Sequence, residues 1–457
     1  MNRPELKDYI VPGRHGHLIG IGGVSMAPLA EVLHGAGLEI TGSDMNDSPA
    51  VEHLRQIGIP IVIGHRAENL AGVDYIIRTA AAREDNPEIR AAREMGIPVF
   101  ERAQAWGHIM RDYPNALCIS GTHGKTTTTS MCTHILMEAG RDPTVMIGGT
   151  LSLLHAGHRV GKGDTIVMES CEYYDSFLSF YPTVAVILDV EADHLDYFKD
   201  LEDVKKSFRT FALHVPEGGT VIANGEDQNT MDAIRGIDRR VMTFGFGPGM
   251  DVRAVNLESR GRHQSFDVLY RGEAWGHIEL NLPGRHNVAD ALAACASAIA
   301  LGVEHGAAER GLAAFTGAAR RFECKGEYNG ADVYDDYAHH PGELSALLDM
   351  AESMGYRRVI VAFQPHTYSR TKALFGDFVS QLRRADRLYL AEIYAAREQN
   401  TLGISSADLA SEIPGAVFCP TFEDLEEKLR AEAGPGDLVL TVGAGDIYKV
   451  GDRLVQG

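Results

Sequence analysis

Among the six cysteines of this 457-residue chain, no two stand at C-x-x-C spacing, which argues against zinc ribbons and redox dithiols. Cys118, Cys132 and Cys295 lie in apolar stretches and read as reduced core residues. No stretch approaches the roughly 18 apolar residues of a membrane span. The N-terminal MNRPELKDYIVPGRHG lacks the apolar run of a signal peptide. The expected compartment is therefore a reducing cytoplasm, with no membrane insertion. Basic charge is also scarce: 43 Lys and Arg face 63 Asp and Glu, a net charge of −20, with no basic block or tail. Nucleic acid is an unfit partner for such a surface, since phosphate neutralisation needs concentrated Lys and Arg. Low-complexity segments and short internal repeats are absent too. What remains is an ordinary globular composition, 44% hydrophobic and 23% charged, long enough for three domains.

Apolar runs alternate with helical or loop segments along the chain, the pattern of parallel α/β sheets. The first unit opens with a strand from His17 to Ile21, a glycine cluster and a helix from Ser25 to about Gly35, with further strands at 61–63, 75–78 and 97–100. Residues 111–115 read as a linker. The second unit starts with strand Ala116–Ser120, a glycine loop and a helix from about Lys125 to Glu138. Strands Thr165–Met168 and Thr183–Val190 follow, then a patch of short alternating strands between about 241 and 283, and helices near 287–301 and 305–314. A third open parallel sheet has strands at 331–335, 358–363, 387–391 and 437–442.

Ser120-Gly121-Thr122-His123-Gly124-Lys125-Thr126-Thr127 joins a strand to a helix. Glycines let backbone N–H groups turn inward around phosphate oxygens, and the helix N-terminus adds positive dipole. Lys125 would reach the β and γ phosphates, and Thr126 or Thr127 offers a hydroxyl to Mg²⁺. Ile119 stands where the commoner pattern has glycine, so this is a tighter variant of the loop. ATP or a similar nucleotide is the expected ligand. Glu169 ends the next apolar strand and Asp193-His194 lies just past the one after, at the strand ends where α/β sheets bind ligands. An acid and an imidazole there suit a divalent metal, though His194 could instead cap a loop and Glu169 face solvent.

Gly20-Ile21-Gly22-Gly23-Val24-Ser25, with Asp44 about twenty residues on, is nearly a dinucleotide fingerprint. It fits NAD, another pyrophosphate such as a UDP-sugar, or only a tight turn. Gly284-Arg285-His286-Asn287 precedes an Ala-rich helix and is compatible with an Asn N-cap. Arg320-Arg321-Phe322-Glu323 could clamp phosphate or form an interdomain salt bridge. Asp335-Asp336-Tyr337-Ala338-His339-His340-Pro341 and Phe363–Arg370 each follow a strand of the third sheet, where polar groups gather for function.

Taken in order, GIGGVSM (20–26), DNPEI (85–89), SGTHGKTTTT (120–129), EADHLD (191–196), GRHNV (284–288), RRFE (320–323), DDYAHHP (335–341), FQPHTYSRT (363–371) and GAGDIY (443–448) closely resemble the Mur ligases of peptidoglycan synthesis. The resemblance runs nearly end to end. It implies a Rossmann-like UDP-sugar domain over 1–113, a P-loop ATPase-like central domain over 114–316 and a Rossmann-like amino-acid domain over 317–457. It implies ATP and Mg²⁺ as requirements, and L-alanine and UDP-N-acetylmuramate as the substrates joined through an acyl phosphate. A sister activity, attaching a whole peptide to the same sugar nucleotide, is the alternative within the family, disfavoured by Thr367-Tyr368-Ser369-Arg370 and the short length. An NAD-dependent oxidoreductase is the alternative outside it and leaves the Gly121 loop unexplained.

By the family pattern, Gly121, Thr122, His123, Gly124, Lys125, Thr126, Thr127, His286, Asn287, Arg321 and Asp335 or Asp336 contact ATP. Thr126, Glu169 and His194 serve magnesium. Gly20, Gly22, Gly23, Ser25, Asp44 and His65 contact the UDP-sugar, and Tyr337, His339, His366 and Arg370 the amino acid. Lys125, His194, Arg321 and His339 are the expected catalytic residues, with His339 or His366 as base for the amine. Three departures stand out: Asp290 replaces an expected asparagine, Thr367 replaces a common arginine, and 169–175 is aromatic where many relatives are acidic. Neither Lys205 nor Lys206 suits the role of the carbamylated lysine of sister ligases.

Overall fold

A computed structural model describes residues 5–79, 81–154, 156–195, 197–396 and 398–456. Asp196, the last residue of the 191–196 motif, and the first four residues of the chain lie outside them. Among the described residues no helix is long and apolar enough to cross a membrane.

The first sheet contains β1 (His15–Ile19), β2 (Glu39–Asp44), β3 (Ile61–Ile63), β4 (Tyr75–Arg78) and β5 (Val99–Glu101), all parallel, in the order β3-β2-β1-β4-β5. β2 is absent from the sequence reading because EITGSD carries little apolar signal. Its Gly42 is dictated by packing: a Cβ there would sit 2.4 Å from Ile21 Cδ1. Strand order reverses between β1 and β4, so the loop after β1 opens at a topological switch point, where such sheets take ligands.

The second sheet contains β6 (Asn115–Ser120), β7 (Thr144–Leu151), β8 (Ala156–Arg159), β9 (Thr165–Glu169), β10 (Val184–Ile187), β11 (Thr220–Asn224), β12 (Arg240–Gly245), β13 (Val252–Arg260), β14 (His263–Tyr270) and β15 (Glu273–Leu280). The order is β15-β14-β13-β12-β11-β10-β6-β9-β7-β8. β6 lies between β10 and β9, parallel to both. β10 reads Val-Ala-Val-Ile and is wholly buried, as a strand covered on both faces requires. The helix Lys125–Glu138 is buried around most of its circumference despite its threonines. Thr129, Ser130 and Thr133 donate their hydroxyls to carbonyls one turn back, at 2.7–2.8 Å, so these three hydroxyls enter the core satisfied. Gly311 of the helix His305–Ala313 permits close approach, since a Cβ would lie 2.8 Å from the Ile135 backbone.

These two sheets share one apolar core running from Leu18, Tyr75 and Trp106 to Cys118, Phe177 and Phe208. Apart from residues 256–266 and 279–280 of β13, β14 and β15, they form one compact unit: residues up to 255, with 267–278 and 289–314. Helix Arg102–Met110 is part of the seam, where a Cβ on Gly107 would overlap the Ser179 carbonyl oxygen at 1.8 Å. Three sheets are present as expected, but the compact units number two.

The second unit comprises 256–266, 279–288 and the chain from 315 onward. Its sheet contains β16 (Glu323–Tyr328), β17 (Ala331–Asp336), β18 (Arg358–Phe363), β19 (Arg387–Ala391), β20 (Val417–Cys419) and β21 (Asp437–Val442), in the order β16-β17-β21-β18-β19-β20. All neighbours are parallel except the edge pair β16–β17. Helices cover both faces over two apolar layers, one around Phe363 and Phe378, the other around Ile360 and Leu425. The ends of β17, β18 and β21 therefore carry the loops in which polar side chains can gather.

Candidate functional site

The loop Gly121–Gly124 leaves β6 and enters the helix that begins at Lys125. Gly124 holds φ +76°, and a Cβ there would lie 2.5 Å from Asp290 Oδ1 and 3.1 Å from Leu188. Asp290 thus lies directly against the loop. The sequence reading turned the loop N–H groups toward phosphate; the structure corrects this for two of them. Thr122 N–H donates to the Asp189 carbonyl (3.2 Å) and His123 N–H to Asp189 Oδ1 (2.8 Å). Burial pushes the Asp189 carboxyl up to about 6, against the pull of His123 and Lys125. The N–H groups of the first helical turn have no carbonyl one turn back, which leaves them as donors beside the loop.

Lys125 Nζ donates to the carbonyls of Gly121 and Thr122 and to Glu172, 3.1 Å from Oε2. Burial opposes its charge most strongly of any single cause, but Glu172, Cys171 and Glu169 together outweigh it and raise the pKa. Thr126 Oγ1 donates to Glu169 Oε1 (3.0 Å), and Gly148 N–H to Glu169 Oε2 (2.7 Å). His194 stacks on Tyr173, ring centroids 4.3 Å apart, with Nε2 3.9 Å from Glu172 Oε1. Thr126 and Glu169 are thus joined directly, while His194 is brought to Glu172. A hydroxyl and a carboxylate offer the hard oxygen donors a Mg²⁺ ion takes, with positions left for water. Lys205 pairs with Glu202 and Asp232, a surface arrangement.

At the first sheet, Gly20 holds φ +74° and Asp44 Oδ2 accepts from Gly22 N–H (2.9 Å). A Cβ on Gly22 would strike Val51 at 2.7 Å, and one on Gly23 would come within 3.2 Å of the Gly20 carbonyl oxygen. The helix after this turn starts at Ala27, not Ser25. Ser25 is committed internally: Arg102 donates to its hydroxyl and Trp106 Nε1 to its carbonyl at 3.1 Å. His65 Nδ1 lies 3.0 Å from Ser43 Oγ and 3.1 Å from Glu88 Oε2. Glu88 is fully buried and also meets His17 and Asn69. Burial pushes its carboxyl up, but hydrogen bonds from His17, Ser43 and Asn69 outweigh that and carry it down to about 2.

Helix Arg285–Ala300 already includes Asn287 in its first turn, so Asn287 is not the N-cap. Its amide donates back to the Pro283 carbonyl at 2.6 Å. Gly284, at φ +95°, leaves room for His286, whose ring would otherwise meet a Cβ at 2.7 Å. The double arginine divides its labour. Arg320 donates to Asp335 Oδ2 (3.0 Å) and to the carbonyls of Gly443 and Gly445, while Arg321 lies 5.3 Å from the Tyr337 ring centroid, half-buried. Asp335 also accepts from Thr441 (2.7 Å) and has no exposed surface. This corrects the reading that left Asp335 open to nucleotide, since both its oxygens are held inside the unit. Asp336 is half-buried, accepts from the Phe322 and Ala338 N–H groups at 2.7 Å, and is pushed by burial up to about 6.

The four residues expected at the amino acid gather at the ends of β17 and β18. His339 and His366 meet edge to face at 5.7 Å, Tyr337 packs on His339 at 5.4 Å, and Arg370 Nη1 donates to His366 Nδ1 at 3.2 Å. Burial, then the neighbouring His339 and Arg370, lower His366 to about 4; burial likewise lowers His339, with Glu343 opposing. Tyr394, missed in the sequence, stacks on the other face of His366 at 5.6 Å. Glu172, Asp189 and Glu88 were missed too. Asp189 follows a buried strand, a signal that strand-end reasoning could have used.

Three family models match successive parts of the chain: "Mur ligase family, catalytic domain" over 15–114, "Mur ligase middle domain" over 119–298 and "Mur ligase, glutamate ligase domain" over 320–445. The UDP-N-acetylmuramate–L-alanine ligase of Caldanaerobacter subterraneus subsp. tengcongensis is 45% identical over 446 residues, 96% of this chain and 97% of that protein. The ligase of the same name from Clostridium novyi is 45% identical over 444 residues, again 96% and 97%. Among solved structures, the UDP-N-acetylmuramate-alanine ligase of Thermotoga maritima superposes with a TM-score of 0.79 at 28% identity, covering 97% of this chain and 98% of that one. A murein peptide ligase from Psychrobacter arcticus shares the fold at a TM-score of 0.70 and 24% identity, with 97% and 98% covered.

Proposed function

We propose, from the fact that the chain belongs to the Mur ligase family, that it joins L-alanine to UDP-N-acetylmuramate with hydrolysis of ATP to ADP and phosphate. The observation that carries this reading is full-length identity of 45% to ligases bearing that activity in their names, together with a phosphate loop whose lysine, Lys125, is held among carbonyls and a buried acid. The product is a building block of peptidoglycan, made in the cytoplasm.

A carboxylate resists attack by an amine because oxide is a poor leaving group. Phosphorylation supplies a better one: a carboxylate oxygen of the muramic acid attacks the γ-phosphorus, and ADP leaves. The amine nitrogen then adds to the acyl carbon, and inorganic phosphate departs with the original carboxylate oxygen. Two anions must meet in the first step, so positive charge from Lys125 and the helix N-terminus offsets their repulsion. Thr126 and Glu169, with His194, are the residues that would hold Mg²⁺, which supplies further positive charge to the phosphates when bound. Gly20, Gly22, Gly23, Asp44 and His65 line the switch point that suits the UDP group.

In the amine step, the hydrogen bonds choose between the two histidines. Arg370 donates to His366 Nδ1, so neutral His366 carries its proton on Nε2 and offers no lone pair there. His339 Nδ1 lies 3.1 Å from the Tyr337 carbonyl and 3.2 Å from Glu343 Oε2, two acceptors, which keeps the proton on Nδ1 and leaves Nε2 as a base. Burial keeps His339 neutral at pH 7. The base must be unprotonated, so turnover falls on the acid side as His339 gains a proton. His339→Ala is expected to lower kcat by about 10²-fold and to lose that acid limb, whereas His366→Ala retains it; a pH–rate profile measures both. Arg370 supplies the charge for the alanine carboxylate, so Arg370→Ala should raise the KM for alanine roughly 10- to 100-fold with the KM for ATP little changed.

Phosphate release with UDP-N-acetylmuramate across a panel of amino acids and peptides tests the reading. Release with L-alanine is expected. Release only with a tripeptide or longer substrate would move the chain to the peptide-attaching branch of the family.

A further inference from the structure

The ammonium group of Lys125 has three N–H donors, and the structure gives it three acceptors: the Gly121 carbonyl, the Thr122 carbonyl at 3.0 Å and the Glu172 carboxylate at 3.1 and 3.4 Å. Its hydrogen-bonding capacity is filled by protein. Glu172 has 2% of its surface exposed and pairs with Lys125 Nζ at 3.1 Å, with His194 Nε2 at 3.9 Å. A buried carboxylate beside a loop built for polyphosphate is unfavourable for an anionic ligand unless it does something there.

The backbone around Glu172 is held under strain. Tyr174 and Asp175, two and three residues after it, adopt left-handed φ of +54° and +53°, and His194 does the same at +53°. None is glycine, and such conformations persist only when surroundings over-determine them. Here they are pinned: Tyr197 donates to Asp175 Oδ2 at 2.7 Å, Ser207 donates to Asp175 Oδ1, and the Tyr173 ring stacks on His194. The consequence of this bend is that Glu172 Oε1 and Oε2 reach Lys125 Nζ while Oε1 lies 3.9 Å from His194 Nε2.

We propose that Glu172 is a positioning residue that stands in for a nucleotide phosphate: its carboxylate holds Lys125 and the loop in place in the empty protein and is exchanged for phosphate oxygens when ATP or ADP binds. This rests on the reading of the Gly121–Thr127 loop as the nucleotide site. Two consequences of opposite sign follow. Without the Glu172 charge, the nucleotide no longer competes for Lys125 and meets less repulsion, so it binds more tightly. The empty loop meanwhile loses its anchor, so the empty protein is less stable.

Calorimetric titration of the full chain with ADP in excess EDTA, for wild type and Glu172→Gln, separates this from a merely structural role. The expected result is a Kd for ADP about tenfold lower in the variant, with a lower Tm for the empty protein and a larger ADP-induced rise in Tm. A residue that only supports the fold would lower the Tm and weaken ADP binding together, and an unchanged or raised Kd overturns the proposal. Should Glu172→Gln fail to fold, Glu172→Asp draws the carboxylate back by one methylene; tighter ADP binding is again expected, and equal or weaker binding overturns it. Wild-type protein that binds no ADP would remove the loop reading itself, and the proposal with it.

Discussion

Lys125→Ala is expected to lower kcat/KM for ATP-dependent ligation by on the order of 10³-fold. Two effects combine. The substitution removes the one side-chain cation in the loop itself, at the step where a carboxylate must approach a polyphosphate. It also leaves Glu172 buried without its ion pair, 2% exposed, a negative charge beside the incoming phosphates. Lys125→Arg should rescue poorly. Nζ occupies a cradle of two carbonyls and a carboxylate, and a planar guanidinium cannot place its donors in that compact arrangement. Phosphate release measures the loss, and a melting curve shows whether the variant is folded. Turnover within a few-fold of wild type would remove Lys125 from the chemistry.

Glu169→Ala is expected to raise the Mg²⁺ concentration for half-maximal activity by roughly 10- to 100-fold, a range typical of disturbed metal ligation. Glu169 closes β9 and holds two groups at once, the Thr126 hydroxyl at 3.0 Å and the Gly148 N–H at 2.7 Å. Those bonds fix the carboxylate beside the first turn of the phosphate helix. Glu169→Gln keeps the shape and one acceptor but removes the charge, so it should share the Mg²⁺ effect while preserving thermal stability better than alanine. A Mg²⁺ titration unchanged in both variants would show that the metal is held elsewhere.

Legibility in the sequence followed the range of the interactions. The phosphate loop and its helix, Lys125–Glu138, are visible because strand, glycines and helix are contiguous, and the helix bounds agree with those expected. The same holds for four strands of the third sheet, β17, β18, β19 and β21, whereas the edge strands β16 and β20 and the antiparallel β16–β17 pair were not foreseen. β2 escaped because its core contribution is small and Gly42 is chosen for a contact with Ile21. Glu88 is invisible locally: its partners His17, Ser43, His65 and Asn69 are spread along the chain and meet only once β1 and β2 pair. The doubled motifs were ambiguous for a related reason. Arg320-Arg321 and Asp335-Asp336 each offer two adjacent, chemically equal side chains. Only the structure shows that Arg320 pairs with Asp335, while both arginines lie over the Tyr337 ring and Asp336 accepts from the Phe322 and Ala338 N–H groups. The first two sheets share a core that no linker composition reveals.

The central claim is that the muramic carboxylate is phosphorylated before the amine attacks. UDP-N-acetylmuramate labelled with ¹⁸O in its carboxylate, incubated with the protein, ATP and L-alanine, tests it by mass spectrometry of the phosphate released. The account predicts one ¹⁸O atom in each phosphate formed. Phosphate carrying no label, formed in step with the ligated product, would contradict it.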